Sequence, residues 1–68
     1  MIFVINGEKK DLPRADTLGA LLASVGVALD ARGVAVALNG EVVPRSAWAS
    51  ARVRESDSVE IIHAVQGG

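Results

Sequence analysis

Two Asn-Gly pairs, Asn6-Gly7 and Asn39-Gly40, constrain the fold of this chain more than any other feature of its sequence. Each pair directly follows a short apolar run, at residues 2–5 and 34–38. Asn-Gly supplies the positive φ angles that a two-residue hairpin turn requires. Each pair therefore predicts a β-hairpin, and the two hairpins lie on either side of the main helical pattern in the sequence.

The return strands are predicted at residues 8–12 and 41–43, each followed by a proline. Proline has no backbone N–H and cannot donate to a strand ladder, so Pro13 and Pro44 end these strands. Lys9 and Lys10 place the first return strand at or near a sheet edge, because charged side chains there discourage pairing with a further strand.

A short helix is predicted from four aliphatic residues that recur at helical spacing: Leu18, Leu21, Leu22 and Val25. Asp16 or Thr17 offers the side-chain oxygen of an N-cap, and Gly26 suits the end of the helix. Residues 45–51 are predicted to be irregular, with at most one tight helical turn for which Ser46 is a candidate cap. The last strand is predicted at residues 58–65.

The element order is therefore β-β-α-β-β-β, which indicates an α+β fold. One helix can cover only one face of a mixed sheet of four to five strands. Right-handed crossovers then favour a roll in which the last strand lies in the middle, parallel to the first. This is the β-grasp, or ubiquitin-like, arrangement. We expect residues 1–65 to form this domain and residues 66–68 to form a flexible C-terminal tail.

Composition excludes several classes of protein. The 68 residues leave room for one core and contain no cysteine, so disulfides, thiolate zinc sites and cysteine nucleophiles are excluded. Seven basic and eight acidic residues are interspersed, and Phe3 and Trp48 are the only aromatic residues, which argues against a nucleic-acid-binding surface. No secretory or membrane segment is apparent, so a cytoplasmic protein is expected.

The sequence offers little for catalysis. His63 is the only histidine, and no nucleophile elbow, phosphate-binding loop or acidic metal loop is present. His63 is interpreted as a rim residue rather than a general base, and Trp48 as a packing anchor rather than a ligand platform. We expect no catalytic residue, no bound cofactor and no metal site.

The sequence ends in Gly67-Gly68, directly after the last predicted strand and Gln66. Glycine loses the most conformational freedom on ordering, so a diglycine end does not favour stability. It suits a backbone that must thread a passage too narrow for side chains. A frayed end without a role is the alternative interpretation.

Alternation along the last strand directs Val59 and Ile61 toward the helix, and Glu60 toward the open face of the sheet. The same alternation predicts three apolar residues on that open face: Ile62, Ala64 and Ala37. They form either a shallow docking patch beside the tail or ordinary scattered apolar surface.

Four segments carry a family resemblance: Asn6-Gly7-Glu8, Thr17-Leu18 with Leu21-Leu22, residues 34–48 with Asn39-Gly40-Glu41, Val43-Pro44-Arg45-Ser46 and Trp48, and residues 59–68. Together they resemble the ThiS family, the sulfur-carrier proteins of thiamine biosynthesis within the ubiquitin-like MoaD–ThiS superfamily. One position departs from the family pattern. The turn before the last strand usually reads Gly-Asp, whereas here it is Ser56-Asp57, so the geometry of that turn is in question.

The resemblance implies a protein co-substrate rather than an enzyme. The carboxylate of Gly68 would be adenylated by a ThiF-type, E1-like enzyme that uses ATP and Mg. A sulfur donor protein would then convert it to a thiocarboxylate, which delivers sulfur to a ThiG-type thiazole synthase. Gly67 and Gln66 would give the tail access to the partners' sites, and the chain alone is expected to be a monomer.

Two alternatives stay open within this interpretation. The chain could carry sulfur for another pathway, such as a molybdopterin-type one. It could also be a ubiquitin-like interaction module that binds partners non-covalently and whose tail is never activated. An enzyme in its own right is the least favoured hypothesis.

Overall fold

The computed structural model describes residues 1–63, and predictions that concern residues 64–68 lie outside them. Seven elements follow one another along the chain: β1 (Ile2–Ile5), β2 (Glu8–Asp11), α1 (Leu18–Ser24), β3 (Val34–Leu38), β4 (Glu41–Val43), a 3₁₀ turn (Arg45–Ala47) and β5 (Ser58–His63). The predicted order of strands and helix is confirmed. No helix among residues 1–63 is long and apolar enough to cross a membrane.

The five strands form one mixed sheet in the order β2-β1-β5-β3-β4. β5 lies in the centre, parallel to β1 and antiparallel to β3. β2 and β4 are the two edges, so the lysines of β2 lie where they discourage further pairing. The predicted β-grasp roll, with the last strand inserted beside the first, is confirmed.

Both Asn-Gly pairs form the predicted hairpin turns. Asn6 and Asn39 each have φ of 50°, and the glycines that follow have φ of 83° and 84°. Two successive positive φ angles define a type I′ turn, whose twist matches that of the flanking strands. β2 ends at Asp11, one residue before the predicted end, although the Leu12 N–H still donates to the Met1 carbonyl at 2.8 Å.

Helix α1 is capped by Thr17, one of the two predicted candidates. The Ala20 N–H donates to Thr17 Oγ1 at 3.2 Å, whereas the Asp16 carboxylate takes no part in the cap. The helix ends at Ser24, and Gly26 follows the C-cap with φ of 86°. This left-handed conformation is the one that glycine adopts at the end of a helix without steric cost.

The core lies between the sheet and α1. Trp48 is 1% exposed, and its indole N–H donates to the Val43 carbonyl at 2.9 Å, so the packing-anchor interpretation is confirmed. Phe3 and Val59 contribute from β1 and β5, and Leu18, Leu21 and Leu22 from the helix. The prediction of Ser46 as a cap is wrong. The 3₁₀ turn begins after Pro44 with no side-chain cap, and Ser46 lies inside it.

The Ser56-Asp57 turn closes without the usual glycine. Ser56 adopts φ of 71°, and its N–H donates to the Ile2 carbonyl at 2.8 Å. The Asp57 carboxylate accepts from the Arg54 N–H at 2.7 Å, which holds the loop in shape. A serine in the left-handed region costs conformational energy that glycine would not, but these hydrogen bonds keep the turn that leads into β5.

Candidate functional site

The central strand β5 positions the candidate site, because the predicted tail follows it directly. Residues 64–68 lie outside the described residues, so Ala64, Gln66, Gly67 and Gly68 remain predictions. The strand before them is described from Ser58 to His63. β3 pairs along its whole length, from Leu38 opposite Val59 to Val34 opposite His63. β1 pairs with the beginning of β5, where Val4 and Ile5 lie opposite Ser58 and Val59.

The two faces of β5 are those that the alternation predicted. Val59 is fully buried and Ile61 is partly buried against the core, while Glu60 and Ile62 are exposed. Residues 59 and 61 therefore contribute to folding. Ile62, at 60% exposure, is apolar surface that folding leaves uncovered.

Four apolar residues lie together on the open face of the sheet: Ala35, Ala37, Val42 and Ile62. We call them the open-face patch. Ala35 lies directly opposite Ile62 across the β3–β5 pair, and Ala37 lies opposite Val42 across the β3–β4 pair. Val42 is 72% exposed, more than any other large hydrophobic residue among residues 1–63. The structure thus brings the predicted residues Ile62 and Ala37 onto one face.

Val42 was missed as a member of the patch, although the sequence contains the signal. A two-residue turn at Asn39-Gly40 fixes the register of the hairpin, so that residue 42 must lie opposite residue 37. Ala37 and Val42 then share a face. Glu60 lies opposite Ala37 across the β3–β5 pair, so a charged side chain borders the patch on the same face.

The asparagines of both hairpin turns hold the backbone of β5. Asn39 Oδ1 accepts from the Ser58 N–H at 2.9 Å, where the strand begins. Asn6 Oδ1 accepts from the Ile61 N–H at 2.7 Å, and Asn6 Nδ2 donates to the Ile61 carbonyl at 3.2 Å. The sequence predicted these residues as turn formers only. Contacts between residues 55 positions apart leave no local pattern that could have disclosed their second role.

His63 is exposed and lies at the end of β5, beside an open cleft of about 460 Å³ on the helix side. Lys10, Ser24 and Val27 also line this cleft. Within residues 1–63, no group of three or more histidine, cysteine, aspartate or glutamate side chains could hold a metal ion. The exposure of His63 agrees with a position on the surface or rim, and its lack of a catalytic role stays a prediction.

Comparison with known proteins identifies the family. The model of the ThiS family matches residues 3–68, which is nearly the whole chain and includes the diglycine end. The chain belongs to the ThiS family. The resemblance predicted from the four sequence segments is confirmed.

Solved structures agree with this membership of the ThiS family. The crystal structure of the thiamine biosynthesis protein ThiS from Geobacter metallireducens has a TM-score of 0.80 and 34% identity, and covers 100% of both chains. An NMR structure of a thiamine biosynthesis protein from the same organism has a TM-score of 0.78, with 34% identity over 100% of this chain and 88% of that one. These structures support the β-grasp fold.

A relative with a different name is also similar. A thiazole synthase from Paramagnetospirillum magneticum is 43% identical over 68 residues, which are 100% of this chain but 20% of that protein. The chain thus spans one fifth of the length of this relative. A ThiS-like segment is therefore present within a protein named for thiazole synthesis.

Proposed function

We propose that this chain is a sulfur carrier in thiamine biosynthesis and that the carboxylate of Gly68 is the group that carries the sulfur. The observation that supports this most is the match to the ThiS family, which extends through residue 68. A co-substrate role fits residues 1–63, where no metal-binding cluster and no buried polar or charged residue is found. The chain would act in the cytoplasm and leave catalysis to its partners.

The proposed chemistry begins with activation. An α-carboxyl group is ionised at neutral pH, so an oxygen of Gly68 can attack the α-phosphorus of ATP. Pyrophosphate leaves, and an acyl-adenylate forms at the carbonyl carbon. Hydrosulfide (HS⁻) released by a donor protein then attacks that carbon, the bond to AMP breaks, and the thioacid loses its proton, so one oxygen of the carboxylate is exchanged for sulfur. ATP and its Mg ion would be bound by the ThiF-type enzyme.

The length of the tail suits this chemistry. Gln66, Gly67 and Gly68, the predicted tail, could span roughly 10 Å when fully extended. That distance is enough to carry a terminus from the surface of a small domain into a partner's enclosed site. Gly67 and Gly68 have no Cβ atoms, so a narrow channel can surround the backbone and the carbonyl carbon stays open to attack.

We further propose that the open-face patch docks the adenylating enzyme. Ile62 and Val42 present exposed aliphatic side chains on the strand that leads to the tail and on an edge strand of the same sheet. Apolar surface of this kind gains free energy when a partner covers it. That gain would offset the entropy lost when the tail is ordered in the enzyme. Ala64, predicted on the same face, would extend the patch toward the tail.

A ThiG-type thiazole synthase is the proposed acceptor. Support comes from the relative in which a segment 43% identical to this chain forms part of a thiazole synthase. Carrier and synthase joined in one polypeptide would meet at a high effective concentration. Separate chains would need an interface instead, and the open-face patch is available for one.

The experiment that tests the proposed function is intact-mass spectrometry. The chain is incubated with a cognate ThiF-type enzyme, ATP, Mg and a sulfur donor. The expected result is a mass gain equal to the exchange of one oxygen for one sulfur, located on the C-terminal peptide. A variant with one alanine appended after Gly68 is the matched control, and it should fold normally but gain no sulfur. An unchanged mass for the wild-type chain, with an enzyme active on another carrier, would contradict the proposal.

A further inference from the structure

The side chain of Asn6 makes the next hydrogen bonds of the β1–β5 ladder, at the point where the backbone of β1 turns away from β5. Along β1, the Val4 N–H donates to the Asp57 carbonyl and the Asn6 N–H donates to the Val59 carbonyl, both at 2.9 Å. In a parallel ladder the next bond would join the Ile61 N–H to the backbone carbonyl of residue 6. The chain turns at Asn6-Gly7, so that pairing stops. The Asn6 carboxamide takes its place and bonds both backbone groups of Ile61, at 2.7 and 3.2 Å.

Among residues 1–63, this contact holds β5 closer to the tail than any other hydrogen bond made from the β1 side. The ladder between β1 and β5 ends at Ile5 opposite Val59, whereas the carboxamide reaches Ile61. Ile61 is seven residues before Gly68. With β3 pairing on the other side, the backbone at this point is held from both flanks. The position of the β5 backbone at Ile61 is therefore fixed in part by one side chain.

We propose that Asn6 is a positioning residue for the C-terminal tail in the adenylation reaction, which rests on the proposed function. A tail that starts from a fixed backbone direction has less conformational freedom to lose when it enters an enclosed site. Loss of the carboxamide lowers the fraction of docked complexes in which the terminal carboxylate reaches the reacting phosphorus. Docking through the open-face patch is unchanged, so kcat falls while KM stays nearly constant.

Asn39 provides a matched control within the same chain. It forms the other Asn-Gly turn with the same φ of 50°, and its carboxamide holds β5 at Ser58, at the end far from the tail. Glycine at either position keeps the positive φ of the turn and removes only the carboxamide. Asn6→Gly and Asn39→Gly should therefore cost similar stability, while only Asn6→Gly frees β5 at Ile61, the end of the strand nearer the tail.

The test compares both variants with the wild-type chain in adenylation kinetics and in amide hydrogen exchange measured by NMR. In Asn6→Gly the Ile61 amide should exchange about tenfold faster, as expected when one hydrogen bond is lost. The value of kcat should fall about three- to tenfold with KM within about twofold, which matches the strength of one or two such bonds. Asn39→Gly should speed exchange at Ser58 and leave kcat within about twofold of the wild type. Asn6→Asp keeps the oxygen that accepts from Ile61 and should restore part of kcat.

Two outcomes would overturn the proposal: wild-type kcat in Asn6→Gly despite faster exchange at Ile61, or equal losses of kcat in Asn6→Gly and Asn39→Gly. The second outcome would assign both asparagines a purely structural role. A wild-type chain that is itself not adenylated would contradict the proposed function and this inference together. A reactive wild-type chain with an equally reactive Asn6→Gly variant would contradict this inference alone.

Discussion

The two faces of the sheet are built from neighbouring residues of the same strands but differ in what covers them. On the helix side, Val36, Val59 and Trp48 are almost completely buried. On the open side, Val42 is 72% and Ile62 is 60% exposed, although each directly adjoins a residue that packs toward the core. Because successive side chains of a strand point to opposite faces, one set of residues packs in the core and the other set forms the surface. The helix face should determine whether the domain folds, and the open face should determine which partners the domain binds.

The largest expected effect is on the helix face. Trp48→Ala removes a fully buried indole and its hydrogen bond to the Val43 carbonyl, so we expect a loss of about 3–5 kcal/mol in the free energy of unfolding. A domain of this size has little stability to spare, so the variant should be largely unfolded near physiological temperature. Urea denaturation followed by circular dichroism measures the loss. Trp48→Phe is the control and should lose less, because an aromatic ring still fills most of the site.

The second-largest expected effect, that of Ile62→Asp, should distinguish the roles of the two faces most clearly. Ile62→Asp places a charge in the open-face patch, so affinity for the adenylating enzyme should fall about tenfold or more. Stability should change by less than about 1 kcal/mol, because the Ile62 side chain is already mostly in water. Titration calorimetry and thermal melts provide the two measurements.

The matched control for Ile62→Asp is Leu29→Asp. Leu29 is 52% exposed, but its side chain lies near Gly19 of the helix, away from the open face. This variant should bind the adenylating enzyme as the wild-type chain does. Equal losses of affinity in both variants would mean that the open face has no special role. A large fall in the melting temperature of Ile62→Asp would mean that this side chain supports the core.

The smallest effect concerns the turn that leads into β5. Ser56 adopts φ of 71°, a conformation that glycine tolerates better than serine. Ser56→Gly should therefore stabilise the domain by about 0.5–1 kcal/mol, since the relief of strain exceeds the added freedom of the unfolded chain. Thermal denaturation would detect the change, and Ser46→Gly, at φ that is not positive, is the control expected to destabilise or have no effect. A destabilised Ser56→Gly would show that the serine side chain contributes more than its backbone strain costs.

Local patterns in the sequence were sufficient for most of the fold. The Asn-Gly pairs fixed both hairpins, because positive φ at two successive positions is a local property of those residues. The aliphatic spacing from Leu18 found the helix, and alternation assigned the faces of β5 correctly. Thr17 could not be separated from Asp16 as the cap, since either side chain can accept the same hydrogen bond.

The candidate site depended more on long-range contacts. The carboxamide of Asn6 reaches Ile61 only because β5 inserts beside β1. No local sequence pattern predicts this contact. The position of Val42 on the open face could have been predicted from the hairpin register alone. Its exposure could not, because that depends on whether another element of residues 1–63 covers this face. The turn at Ser56 was the position where the family pattern failed, and side-chain hydrogen bonds to Asp57 compensate there.

The measurement that tests the central claim most directly follows the sulfur beyond the carrier. The thiocarboxylated chain is prepared with labelled sulfur, purified, and mixed in a single turnover with a ThiG-type thiazole synthase and its other substrates. The account predicts that the label appears in the thiazole product and that the chain returns to its carboxylate mass. Label that stays on the chain with an active synthase, or passes only to a molybdopterin-type acceptor, would contradict the account.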